Sequence, residues 1–214
     1  MKKATIFFDL DDTLYSPACG LWDAISQRIN TFIQYRLNVP IQEIESIRKY
    51  CHENFGTSLK GLQKIFPVKN EEYLDYVHDL DLSLYISEDK QLKNILISLP
   101  HNKIIFTNSD RNHASRVLKT LGIENCFKKI IDIYDISPFN KPQKESFLKA
   151  LQLSCELIPS HCGIVDDRDS NLTVSTDMGF KGIQPWCDDV SEYKWIRIPS
   201  IHELPLALEK LNWL

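Results

Sequence analysis

From Lys103 onward the chain alternates short apolar, β-branched runs with helical segments, and this alternation restricts the possible folds more than any other feature. Strands are predicted at residues 103–106, 129–133, 162–165, near 182–184 and at 195–198, with helices over 114–121, 144–153 and 171–178 between them. Such repetition builds βαβ units, whose strands run parallel beneath helices on both faces. Ile6, Phe7 and Phe8 form one more apolar run with the texture of a buried strand. The expected fold is therefore α/β, a doubly wound parallel sheet that includes the N-terminal strand.

Between those two regions the texture is helical. Leu21, Ile25, Ile29, Phe32 and Ile33 recur at intervals of three and four, as do Ile41, Ile44, Ile47 and Tyr50, so each set is expected to face a core. Pro40, the stretch from Gly56 to Gly61 and Pro67 divide this block into four or five helices. The predicted organisation is a core of residues 1–17 and 97–214, with residues 18–96 inserted as a helical unit after the first strand.

Open parallel sheets bind ligands beyond the carboxyl ends of their strands, so the residues leaving each apolar run carry the functional information. Phe8 is followed by Asp9-Leu10-Asp11-Asp12-Thr13, Phe106 by Thr107-Asn108-Ser109-Asp110, and Val165 by Asp166-Asp167-Arg168-Asp169-Ser170-Asn171. Lys141 precedes Pro142 in the loop before the helix predicted at 144–153. Asp9 and Asp11 would share a side if strand geometry persisted, and carboxylates converging there call for a hard cation such as Mg²⁺. Asp12 reads as a turn residue and Thr13 as a local brace, while Thr107 and Ser109 also suit helix capping. A calcium loop beginning at Asp9 is excluded by Leu14 and Gly20 where Gly and Glu are needed. One beginning at Asp167 fails in the same way at Leu172 and Met178.

The chain has 214 residues, 43% apolar and 25% charged, which suits a globular protein with a full core. A formal charge of −4 without a basic run excludes general attraction to nucleic acid or to an anionic membrane. No CxxC spacing occurs among the six cysteines, which are expected to be reduced, buried thiols rather than zinc ligands. Met1-Lys2-Lys3 leads straight into the first strand with no signal peptide, so a cytoplasmic protein is expected.

In that order and position, Asp9-Leu10-Asp11-Asp12-Thr13, Thr107-Asn108-Ser109, Lys141-Pro142 and Asp166-Asp167 resemble the four motifs of the haloacid dehalogenase-like superfamily. The resemblance implies a Rossmann-like core with a helical cap that closes over small substrates, the segment from Tyr15 to Gly20 acting as its flap. It further implies that Asp9 is the nucleophile, that Asp11 is the general acid and base, and that Thr107, the Asn108 backbone and Lys141 bind phosphate. Mg²⁺ would be held by Asp9, the Asp11 carbonyl and Asp167, with Asp166 reaching it through water or exchanging places with Asp167. Asn171 would brace this shell or cap the following helix. A carboxylate at Asp11 favours phosphoryl chemistry, since dehalogenase members lack one there.

The segments Phe8 to Tyr15, Phe55 to Leu62 and Lys103 to Asn108 resemble the pyrimidine 5′-nucleotidase branch. A small phosphorylated substrate is thereby implied, with a pyrimidine nucleoside monophosphate first. A general small-molecule phosphatase or a noncatalytic phosphate-binding protein of the same fold are the alternatives. Thr57 and Ser58 would meet a base or sugar, or else cap a helix.

Overall fold

The structure is a computed structural model that describes residues 3–189 and 193–213, so Met1, Lys2, Val190, Ser191, Glu192 and Leu214 of the expected core lie outside the described residues. Six strands form one sheet: β1 (Thr5–Phe8), β2 (Asn102–Phe106), β3 (Lys129–Ile131), β4 (Cys162–Val165), β5 (Lys181–Gln184) and β6 (Ile196–Arg197). Their spatial order is β3-β2-β1-β4-β5-β6, and every pairing is parallel. The fold is thus the doubly wound, Rossmann-like α/β architecture. The order of connection reverses beside β1, which opens a crevice at the carboxyl ends of β1 and its neighbours.

β1 is buried along its whole length, as a central parallel strand must be. Its side chains alternate between faces: Phe7 packs edge-on against Phe106 and Phe180, at ring separations of 6.2 and 5.9 Å, and Phe8 packs against Phe127 at 5.6 Å. The register aligns Phe8 with Ile105 of β2 and Val165 of β4. Asp9 and Asp166 therefore emerge at one level, with Thr107 one residue further along β2.

Two compact units make up the chain, Gly20–Tyr85 and the remainder. The smaller contains α1 (Leu21–Arg36), α2 (Ile41–Phe55), α3 (Ser58–Ile65) and α4 (Asn70–Val77). The first predicted stripe is buried throughout. In the second only Ile44 is, while Ile41 is 68% and Tyr50 49% exposed, because α2 turns Ile44 and Cys51 inward instead. Gly61 of α3 lies against α2: a Cβ there would stand 2.6 Å from the Cys51 Cα, so a side chain would force the helices apart.

α5 (Lys90–Ser98), expected within the insertion, groups with the sheet unit. Asp89 caps it, accepting from the Leu92 amide at 2.8 Å, and also meets His202 at 2.8 Å, while Leu92 and Leu96 are fully buried. Apolar spacing reports that a helix has a core face, not which core receives it. The sheet unit also holds α6 (Arg111–Thr120), α7 (Lys144–Leu153), α8 (Asp169–Asp177) and α9 (Leu204–Lys210), the last absent from the sequence expectations. β3 ends at Ile131 because Asp132 turns back to accept from the amides of Tyr134 and Asp135. Of the cysteines expected to be buried, only Cys51 and Cys162 are; Cys155 is exposed and the others are half-buried. No helix among the described residues is long and apolar enough to cross a membrane.

Candidate active site at the carboxyl edge of the sheet

Asp9 follows β1 directly, and its amide donates to the Val165 carbonyl at 2.9 Å, extending the sheet by one bond. Thr107 and Asp166 leave β2 and β4 in the same way, donating to Ile131 and Ile183 at 3.0 and 3.1 Å. These three bonds hold the polar exits on the rigid sheet rather than on free loops.

Lys141 is the centre of the cluster. Its ammonium is within 2.8 Å of Asp9 Oδ1 and 2.7 Å of Asp166 Oδ2, and its side chain is 1% exposed. The loop carrying it is pinned by Asn108, whose side chain accepts from the Lys141 amide at 2.9 Å and donates to the Lys141 carbonyl at 3.0 Å. Asn140 donates to the same carbonyl at 2.9 Å. The sequence assigned Asn108 a backbone role; its side chain is what positions Lys141.

Asp166, fully buried, is surrounded by donors. Asn171 reaches both of its oxygens, at 2.8 and 3.0 Å, and the Arg168 amide reaches Oδ1 at 3.0 Å. Asn171 lies inside α8 and braces Asp166 instead of capping the helix. Asp167 is half-buried, and Thr13 bonds it across 154 residues: the Thr13 hydroxyl donates to Oδ1 at 3.3 Å and accepts from the Asp167 amide at 3.2 Å. That bond replaces the local role expected for Thr13. Gln184 accounts for Asp169, donating to it at 2.6 Å and to the Asp167 carbonyl at 2.9 Å.

Oxygens of Asp9, Asp166 and Asp167 all lie within 4.8 Å of one another. Burial pushes the Asp9 carboxyl up to about 6, against the opposing pull of Lys141. Burial, then Asp166 and Asp9, push Asp167 up to about 8. For Lys141, burial alone would lower the value, but Asp166 and Asp9 outweigh it and hold it above its ordinary one. One lysine among three carboxylates leaves a deficit of positive charge, and an all-oxygen donor set fits a hard divalent cation such as Mg²⁺.

A consequence is measurable in the metal-free protein. The folded state keeps protons on Asp9 and Asp167 that the unfolded chain releases near 3.8, so the contribution of these two groups to folding stability is full below that value and is lost as pH rises toward about 8. Melting temperature in a chelator is expected to fall across this window, and excess Mg²⁺ to remove the fall. A melting temperature that rises with pH in the chelator would contradict the charge deficit.

Asp11 occupies a different environment. Its Oδ1 accepts from the Tyr15 hydroxyl at 2.7 Å and meets His113 Nε2 at 2.8 Å, and its Oδ2 accepts from the Ser109 hydroxyl at 2.7 Å. Burial and then Asp11 push the Tyr15 hydroxyl well above its usual value, keeping it a proton donor. Asp12 is the turn residue expected, with φ of 55°. Thr107 accepts from the Ser109 amide at 3.0 Å, and neither caps α6: Asp110 does, accepting from the His113 amide at 2.9 Å. Recognising Asp110 as the cap starts the helix at Arg111 and places His113 on the apolar face with Val117, a signal the sequence did contain.

These exits reproduce the four-motif order on the fold that the motifs require. A family model described as haloacid dehalogenase-like hydrolase matches residues 3–173. The chain belongs to this family. Phosphate metabolism protein 8 of Saccharomyces cerevisiae is 29% identical over 191 residues, covering 83% of this chain and 60% of that protein. The present hydrolase thus spans about three fifths of that relative's length. YfnB of Bacillus subtilis, in a crystal form bound to magnesium, is 18% identical with a TM-score of 0.62, covering 99% of this chain and 100% of that one. L-2-haloacid dehalogenase of Xanthobacter autotrophicus, with chloropropionic acid covalently bound, is 11% identical with a TM-score of 0.59, covering 98% and 99%. At such identities the likeness is one of fold, and the choice of chemistry rests on this hydrolase's own side chains.

Among the described residues, Thr57 caps α3, accepting from the Lys60 amide at 3.2 Å, and the buried Ser58 meets His52 at 3.2 Å.

Proposed function

We propose that this hydrolase cleaves small phosphomonoesters through an aspartyl-phosphate on Asp9, that it uses Mg²⁺, and that a pyrimidine nucleoside monophosphate is its preferred substrate. The observation that carries the reading is Lys141 held between Asp9 and Asp166, at 2.8 and 2.7 Å, with a second carboxylate system at Asp11 kept apart from it. One carboxylate is placed beside a buried cation suited to a phosphoryl group; the other is placed to move protons.

Asp9 attacks phosphorus while the bond to the ester oxygen breaks, and Asp11 gives that oxygen its proton. Asp11 then takes a proton from water as the water attacks phosphorus; the bond to Asp9 breaks, phosphate leaves, and both aspartates return to their starting forms. Lys141 neutralises charge on the transferring group, and the Thr107 hydroxyl and Asn108 amide donate to its oxygens. Mg²⁺, when bound, supplies further positive charge and lessens repulsion between the phosphate and Asp9. Asp9, Asp167 and the Asp11 carbonyl would hold it directly. Asp166, already bonded by Lys141, Asn171 and the Arg168 amide, would act through water.

Nucleotide preference rests on the branch resemblance, and the relation to a yeast phosphate metabolism protein supports phosphate chemistry in general. The helical unit Gly20–Tyr85 would serve as the cap that selects among small substrates. Phosphate release from UMP, CMP, AMP, nicotinamide mononucleotide and sugar phosphates, with Mg²⁺ and with a chelator, tests the reading. Metal-dependent release that favours UMP or CMP is expected. Equal rates across the panel would make the protein a general phosphatase, and no release at all would leave a binding protein.

A further inference from the structure

The hydrogen bonds around Asp11 form a unit that the two-step chemistry does not by itself require. Three hydrogen-bonding side chains converge on one carboxyl from three places: Tyr15 from the turn after β1, Ser109 from the loop after β2, and His113 from the first turn of α6. Ser109 and His113 lie 98 and 102 residues from Asp11 in sequence. The His113 side chain is 0% exposed, Tyr15 is 5% and Ser109 8% exposed, so water does not substitute for any of them.

His113 and Ser109 are themselves anchored. The His113 amide donates to Asp110 at the start of α6, the Ser109 amide donates to Thr107, and the Ser109 carbonyl accepts from the Ile133 amide at 3.2 Å. The Tyr15 and Ser109 hydroxyls donate to the two Asp11 oxygens, and one hydrogen bond joins Asp11 to His113 Nε2. A carboxyl held through both oxygens has one orientation. On a turn without such bonds it would rotate, and a proton carrier displaced by an ångström loses much of its effect.

We infer that Tyr15, Ser109 and His113 are positioning residues that aim the Asp11 carboxyl at the leaving oxygen, so that they determine how well the enzyme expels poor leaving groups. The inference rests on the phosphomonoesterase reading above, with Asp11 as the acid.

Leaving-group dependence separates this role from a structural one. The alkoxide leaving UMP needs a proton as its bond breaks, whereas p-nitrophenolate departs without one. Tyr15→Phe, Ser109→Ala and His113→Leu are each expected to lower kcat/KM for UMP by about 10–100-fold, and at least about tenfold more than for p-nitrophenyl phosphate. If UMP is not turned over, the best sugar phosphate takes its place. His113→Gln, which retains a donor near the Nε2 position, and Ser109→Thr should recover most of the loss. Binding of Mg²⁺ alone, read from the melting temperature, should be unchanged in all of them.

Tyr15→Phe removes a single oxygen and carries the test if His113→Leu fails to fold. Equal losses on both substrates, or no loss on UMP, would overturn the inference while leaving the phosphatase reading intact. Wild-type protein that releases phosphate from none of these esters would overturn that reading and the inference with it.

Discussion

Asp9→Asn is expected to reduce phosphomonoester turnover by about 10⁴-fold or more and to leave the protein folded. An amide oxygen in place of Asp9 Oδ1 can still accept from Lys141, so the contact now made at 2.8 Å is not lost. One buried negative charge is removed from a group already short of cations. In a chelator at about pH 8, where Asp167 begins to ionise, the variant should melt at or above the wild-type temperature. Loss of turnover with retained or increased stability assigns Asp9 to chemistry. An Asp9→Asn protein that still turned over at the wild-type rate would remove it from that role.

Lys141→Met is expected to fail on both counts. The substitution keeps the volume but leaves Asp166 and Asp9 without the cation that joins them. Breaking a buried pair in this way costs about 3–5 kcal/mol, which for a chain of this size lowers the melting temperature by roughly 6–20 °C. Turnover should fall by about 100–1,000-fold, as it does when a preorganised charge is taken from a reacting group. Thermal unfolding and steady-state rates, measured on the same preparation, check the two effects. A variant with wild-type stability would show that Lys141 does not neutralise the cluster.

The parallel sheet was legible because a buried parallel strand has an apolar run of characteristic length, and each run here ended where the polar exits began. Asp9, Asp166 and Asp167 were legible for the same reason, since each sits just after a strand end and their convergence followed from topology, whereas Lys141, in the loop before α7, was legible from the order of the motifs. Ser109 and His113 were not, because they act by bonding Asp11, and no local pattern reports a partner 98 or 102 residues away; Tyr15, four residues from Asp11, was read only as the start of the flap. Thr13 was misjudged on the same ground, since its partner Asp167 lies 154 residues away, just past the end of β4. The division between units was shifted because α5 has an ordinary apolar face, and only long-range contacts, among them Asp89 to His202 and the Asp89 amide to the Leu121 carbonyl, reveal which unit it joins.

The central claim is that phosphorus passes through Asp9, and Asp11→Asn with p-nitrophenyl phosphate tests it most directly. The leaving group departs without an acid, but the water for the second step has no base, so the reaction should stop after one turnover. A burst of one equivalent of p-nitrophenolate is expected and, after acid quenching, a phosphate located by peptide mass on Asp9. Wild-type turnover accompanied by no burst in the variant, or by phosphate on another residue, would contradict it.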